Sequence, residues 1–216
     1  MDHGNVIVRF DQVSFSYDGL KPVLDEASFS VRENAKITIM GQNGAGKSTL
    51  FKLILGASGA FDHEAVDMTL KPLSGSVNIP KGVSIGIALQ VMPRRFFDHT
   101  VMEYFATAFS EKVYHLEKLV KEALEVVNLS TPFDKKIKDF SGGQMARLLL
   151  AYALIQEPDI LLLDEPTNNL DADGIDHLTC FLIGYQKTVI VISHDANFLN
   201  AFTDGVLNLD VYTKKV

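Results

Sequence analysis

Residues Gly41-Gln42-Asn43-Gly44-Ala45-Gly46-Lys47-Ser48 constrain the fold of this chain more than any other stretch. They fit G-x-x-x-x-G-K-[ST], a loop that folds only between a buried strand and the start of a helix. Both flanks comply. Ile37-Thr38-Ile39-Met40 reads as the strand, and Ser48-Thr49-Leu50-Phe51-Lys52-Leu53-Ile54-Leu55 as the helix. Glycines let the backbone wrap closely around phosphate oxygens, and successive N–H groups form an anion nest. The helix N-terminus adds about half a positive charge. Gly41 through Thr49 are therefore candidate phosphate-binding residues. Lys47 can reach the β- and γ-phosphates, and the Ser48 hydroxyl can coordinate Mg²⁺.

The rest of the chain suits that core. Val6–Phe10 and Val13–Tyr17 read as two strands separated by Asp11-Gln12, and Ala27–Val31 as a third, an antiparallel β-subdomain. Residues 56–75 are punctuated by Gly, Ser and Pro and read as a surface excursion. Ser76–Ile79 and Val83–Leu89 return to strand pattern and end at Gln90. Residues 100–128 read as helical, with Val113, Leu116, Val120, Ala123, Leu124 and Val127 forming one core-facing stripe. A further helix opens after Ser141-Gly142-Gly143 and runs to Ile155. Ile160–Leu163 and Thr188–Ile192 read as buried parallel strands, with a helix over 173–185 between them. A short helix over Asn197–Phe202 and a strand over Val206–Leu209 close the chain. Strands alternating with helices predict an α/β fold with a parallel sheet, to which the β-rich start and the helical block at about 91–150 are appended.

The 216 residues suffice for one large domain, and a net charge of −7 argues against a chain living mainly on bare nucleic acid. Pro93-Arg94-Arg95 and Lys135-Lys136-Ile137-Lys138 are the basic clusters. One cysteine, Cys180, excludes an internal disulfide and suits a reducing, cytoplasmic compartment. No apolar run is long enough for direct membrane insertion, so a membrane connection would have to come from a partner.

Asp164 and Glu165 follow the strand 160–163 directly, where α/β folds place their ligands. Asp164 is placed to hold Mg²⁺ through water, and Glu165 to polarise a water for attack on the γ-phosphate. Ser141-Gly142-Gly143-Gln144 stands about twenty residues earlier, Pro166–Asp171 follows, and Ser193-His194-Asp195 comes after the next strand. With the phosphate loop, this set in this order resembles an ATP-binding cassette (ABC) ATPase over nearly the whole chain. The resemblance implies one domain over 1–216. Its fold would be that of a P-loop NTPase, with a RecA-like parallel-sheet core, an antiparallel β-subdomain and a helical signature subdomain. It implies ATP and Mg²⁺ as ligands and hydrolysis at an interface with a second cassette, of this chain or another. Tyr17 would stack on adenine. Gln90 would reach Mg²⁺ and the attacking water. Ser141, Gly142, Gly143 and Gln144 would contact the partner cassette's nucleotide, Asp171 would sit at that interface, and His194 would hydrogen-bond the γ-phosphate. Lys47, Gln90, Glu165 and His194 would carry catalysis.

Asp164-Glu165-Pro166-Thr167-Asn168-Asn169-Leu170-Asp171 is similar to the D-E-P-T-N-x-L-D string of ABC-F proteins, a duplicated-cassette branch acting on the ribosome. Ser193 to Leu199 also looks like that branch's S-H-D-x-x-F-L. The chain departs from the pattern in carrying one cassette with no linker helices, a short block between Gln90 and Ser141, and Phe140 where leucine is usual. The resemblance thus implies a translation-linked ATPase with the ribosome as partner. The alternative is the ATP-binding subunit of a transporter, docked on separate membrane subunits.

Overall fold

The computed structural model describes residues 5–58, 70–89, 91–109 and 111–212. They fall into two compact units, Met1–Ile85 with Gln186–Ile192 and Thr203–Val216, and Gly86–Tyr185 with Ser193–Phe202.

In the first unit, β1 (Val6–Phe15) pairs antiparallel with β2 (Leu24–Arg32) and with β4 (Ser74–Asn78). The two strands expected at 6–10 and 13–17 are one. Asp11-Gln12 is not a turn but a bulge. Gln12 takes φ 47°, the pairing shifts between Phe10 and Val13, and the Gln12 N–H finds the Ser28 hydroxyl at 2.9 Å. The extra residue keeps Phe10, Val13 and Phe15 buried, so the strand continues through the interruption. It stops at Phe15, leaving Tyr17 in the turn beyond.

The same unit holds β3 (Lys36–Met40), in parallel register with β7 (Thr188–Ile192) on one edge and β8 (Gly205–Asn208) on the other. Thr188 to Ile192 is buried throughout, as a strand covered on both faces requires. Helix α1 (Lys47–Ser58) follows the loop from β3 and buries Leu50, Phe51, Leu53, Ile54 and Leu55. Of the excursion expected at 56–75, residues 59–69 lie outside the described residues.

In the second unit, β5 (Ile85–Ile87) neighbours β6 (Ile160–Asp164), four residues of which are fully buried. The helix expected over 100–128 is divided. A capping box between Thr100 and Glu103 opens α2 (Val101–Ala106). His115, at φ 67°, stands as the left-handed residue immediately before α3 (Leu116–Val126). Val113 therefore lies before the helix, while Val120, Ala123, Leu124 and Val127 form the buried stripe. Helices α4 (Gly142–Ile155), α5 (Ala172–Gly184) and α6 (Ala196–Phe202) follow the expected segments within two residues. Among the described residues, no helix is long and apolar enough to cross a membrane.

The β1 bulge makes a sharp demand on β4. Gly75 sits at φ 77°, and a Cβ there would overlap the Gln12 and Asp11 carbonyl oxygens. Gly75→Ala combines left-handed strain with a backbone clash. We expect it to cost about 2–4 kcal/mol, read as a lowered urea midpoint with an unchanged slope. An unchanged midpoint would show that the bulge relaxes without cost.

Candidate nucleotide-binding site

The phosphate loop leaves β3 at Met40 and enters α1 at Lys47. Gly44 and Gly46 take φ 84° and 88°, which side chains resist. At Gly46 space is also closed, since a Cβ would lie 2.6 Å from Val23 Cγ1. The loop is tied at both ends. Lys47 Nζ donates to the carbonyls of Gly41 (2.8 Å) and Gln42 (3.2 Å). The Gln42 N–H donates to Asp210 Oδ1 at 3.0 Å, and the Ala45 N–H closes a turn onto the Gln42 carbonyl at 3.0 Å. By helix geometry the first-turn amides of α1 point back into this loop. Ser48 presents an exposed hydroxyl on that turn, a hard oxygen of the kind Mg²⁺ prefers. Thr49 is buried, and its hydroxyl meets the Tyr17 hydroxyl at 3.0 Å. The expected base-stacking ring is thus fastened to the helix that carries Lys47 and Ser48. The turn after Tyr17 is organised by Asp18. Its carboxyl is held down to about 2 by the N–H groups of Lys21 and Leu20 and by the Ser16 hydroxyl.

In the second unit, Asp164 ends β6 half-buried, and Glu165 follows at φ 49°. A non-glycine residue in this conformation is uncommon and costs of order 1–3 kcal/mol unless its surroundings hold it. Here the Glu165 carboxylate holds His194 twice. Oε2 accepts the His194 N–H at 3.3 Å, and Oε1 lies 3.3 Å from His194 Nε2. The His194 side chain is 71% exposed and that of Glu165 21%. The structure brings this expected acid and histidine together. Gln90 lies outside the described residues.

Ser141 caps α4 in a reciprocal box. Its hydroxyl accepts the Gln144 N–H at 3.3 Å, and Gln144 Oε1 accepts the Ser141 N–H at 3.1 Å. Gly142 and Gly143 are exposed, and a Cβ on either would meet nothing within 4 Å. Asp171 caps α5, with Oδ1 accepting the Gly174 N–H at 3.0 Å. The same carboxylate takes Asn128 Nδ2 at 3.3 Å and Arg147 Nη2 at 3.4 Å. These partners, the Gly174 N–H first, hold its carboxyl below the usual range. Arg147 also donates to the carbonyls of Asn128 (2.8 Å) and Asn169 (3.1 Å).

Residues 24–168 match the family model described as ABC transporter. The chain belongs to the ATP-binding cassette family. It is 34% identical over 211 residues to the probable ATP-binding protein YheS of Escherichia coli (strain K12), covering 94% of this chain and 30% of YheS. It is 32% identical over 211 residues to the zinc import ATP-binding protein ZnuC of Pseudomonas savastanoi pv. phaseolicola, covering 95% of this chain and 73% of ZnuC. The cassette therefore spans less than a third of YheS and most of ZnuC. The solved ATP-binding subunit of an ABC transporter shares its fold, with a TM-score of 0.77 at 20% identity over 94% of this chain and 85% of that one.

Two features of the cassette lay outside the reading by motif. One is the Tyr17–Thr49 hydroxyl pair, for which no sequence signal exists, because the residues stand 32 apart. The other is Arg147. Its one signal is a spacing of three from Gln144, which puts both on neighbouring positions of α4. Its side chain, 18% exposed, joins α4 through the guanidinium to the loops at 128 and 169–171. The basic pair after Gln90 also resolves. Arg94 and Arg95 are exposed, while Phe96 turns inward against His99 and Tyr104, with centroids at 5.5 and 5.0 Å. Arg147→Ala takes the arginine donors from two carbonyls and leaves the Asp171 carboxylate with Gly174 and Asn128 alone. We expect it to cost roughly 2–3 kcal/mol and to raise amide exchange across 168–171. Lysine should not restore protection, since one ammonium cannot reproduce a planar fork. Unchanged exchange would show that the loop is held by Asp171 alone.

Proposed function

We propose that this cassette binds Mg-ATP, pairs with a second cassette, and hydrolyses the nucleotide at their interface. The observation that carries this is the Glu165–His194 pair. A carboxylate at the end of β6 is held by both the backbone and the ring of an exposed histidine. Glu165 polarises the attacking water, and His194 donates to the γ-phosphate; the clasp fixes where each points. Lys47 exchanges its two carbonyl partners for phosphate oxygens. The Ser48 hydroxyl and the Asp164 carboxylate, with Gln90, are oxygen donors suited to Mg²⁺. When bound, that ion offsets charge developing on the transferred phosphoryl group. Tyr17 takes the base. Ser141, Gly142, Gly143 and Gln144 meet the partner's nucleotide, and Asp171 lies at the same interface. Lys47→Ala should abolish most ATP turnover and weaken ATP binding at least tenfold, about 1.4 kcal/mol. Turnover like that of the unaltered chain would rule out the site.

The biological setting we favour is an ABC-F-like ATPase linked to translation and acting in the cytoplasm. The Asn168-containing string supports it, as does the exposure of Arg94 and Arg95, the latter with its guanidinium over the Phe96 ring, on a surface that RNA phosphates could meet. The second reading, an ATP-binding subunit docked on membrane subunits, is supported by the similarity to ZnuC over most of that protein's length. One variant separates them. Glu165→Gln, saturated with ATP, should dimerise and co-sediment with ribosomes. Its binding should fall steeply with salt and with charge reversal at Arg94 and Arg95. Dimerisation without ribosome association at low salt, together with co-purification of a polytopic membrane protein, would decide for the transporter subunit. A chain that stays monomeric at tens of micromolar would exclude self-pairing.

A further inference from the structure

We propose that Thr49 is a positioning residue for the nucleotide base, setting the Tyr17 ring as a platform before any ligand arrives. The inference rests on the reading of Tyr17 as the base-stacking ring. Tyr17 is 62% exposed, and an exposed aromatic side chain ordinarily exchanges rotamers within nanoseconds. This one is held from three sides. Its hydroxyl meets Thr49 Oγ1 at 3.0 Å. Its ring stands edge-on to the buried Phe15 ring, with centroids 5.0 Å apart and planes at 89°. Its backbone runs into a turn in which Asp18 Oδ1 accepts from Ser16, Leu20 and Lys21, and the Gly19 N–H donates to the Ser16 hydroxyl.

The far end of the tether is firmer still. Thr49 is 6% exposed in the first turn of α1, two residues after Lys47, and its branched side chain has few rotamers there. One hydroxyl pair therefore sets the spacing between the ring and the phosphate loop. The ligand chemistry that fits is a flat heteroaromatic base joined to a phosphate chain. Its base is held by its face, a contact every base can make. Ordering the ring in advance spares the entropy otherwise lost on binding.

The test compares equilibrium binding of ATP and of inorganic triphosphate, which has no base. The variants are Tyr17→Phe, Thr49→Val, the two combined, Thr49→Ser and Tyr17→Ala. Tyr17→Phe and Thr49→Val should each weaken ATP binding about three- to tenfold, the worth of one hydrogen bond. The combined variant should lose no more than either alone, triphosphate binding should be unmoved by Tyr17→Phe, and Thr49→Ser, which keeps the hydroxyl, should bind ATP normally. Losses that multiply in the combined variant overturn the tether. So does a Thr49→Val loss equal for ATP and triphosphate, because Thr49 would then act on phosphate. If Tyr17→Ala binds ATP normally, the base-stacking reading falls and takes the tether with it. If Tyr17→Ala is weak while Tyr17→Phe is normal, the ring stands and the tether falls. Should Thr49→Val fail to fold, the exposed Tyr17→Phe change decides alone.

Discussion

Strand β3 is hydrogen-bonded along both edges, by β7 and by β8, and the phosphate loop begins where that ladder ends. A nest of amides attracts an anion only if the amides keep their directions while charge arrives. In this unit the directions are kept by backbone means. Left-handed glycines shape the curve, and the Lys47 ammonium spans the first two carbonyls. Asp210 takes the Gln42 N–H, and itself receives help from Asn208, whose side chain accepts the Asp210 N–H at 3.0 Å. The 3-10 turn Leu209–Tyr212 that carries Asp210 is secured in turn by the Tyr212 hydroxyl on the Ser28 carbonyl. A loop of small residues is thereby given the rigidity of the sheet beside it.

The second unit meets the same demand with side chains. Glu165 occupies a costly backbone conformation, and its carboxylate, gripping His194, is what the cost secures. Ser141 and Asp171 both serve as helix caps, but they differ in what is left over. At Ser141 the cap involves only Gln144, and the two exposed glycines beyond it leave the start of α4 approachable by a bulky anion. At Asp171 the carboxylate is shared among Gly174, Asn128 and Arg147. Its conformation is therefore fixed within its own unit.

Where motif and local chemistry agreed, the sequence was sufficient. The phosphate loop, the buried runs at 160–163 and 188–192, and the helix that opens at Ser141 depend on residues within a few positions of one another. Their glycines, caps and apolar blocks carry the information locally. Asp11-Gln12 looked like a turn because polar residues interrupt an apolar pattern. Only pairing with β2 and β4 on both sides shows that a bulge is the cheaper way to keep Phe10 and Phe15 on one face. The break at His115 was equally invisible, because Val113 and Leu116 fit a helical stripe as well as the residues that follow.

What the sequence by itself determined was the family. Eight residues with a lysine and a hydroxyl at fixed offsets, followed by two acids and a histidine after buried strands, mark an ATP-binding cassette. What only the tertiary structure decided was which side chains hold those residues still. Tyr17 with Thr49, Gln42 with Asp210, Glu165 with His194, and Arg147 with Asp171 are separated by 24 to 168 positions. No local propensity links such pairs. They come into reach only when sheet register and helix packing have placed their backbones, and hydrogen bonds of about 3 Å tolerate little error in that placement.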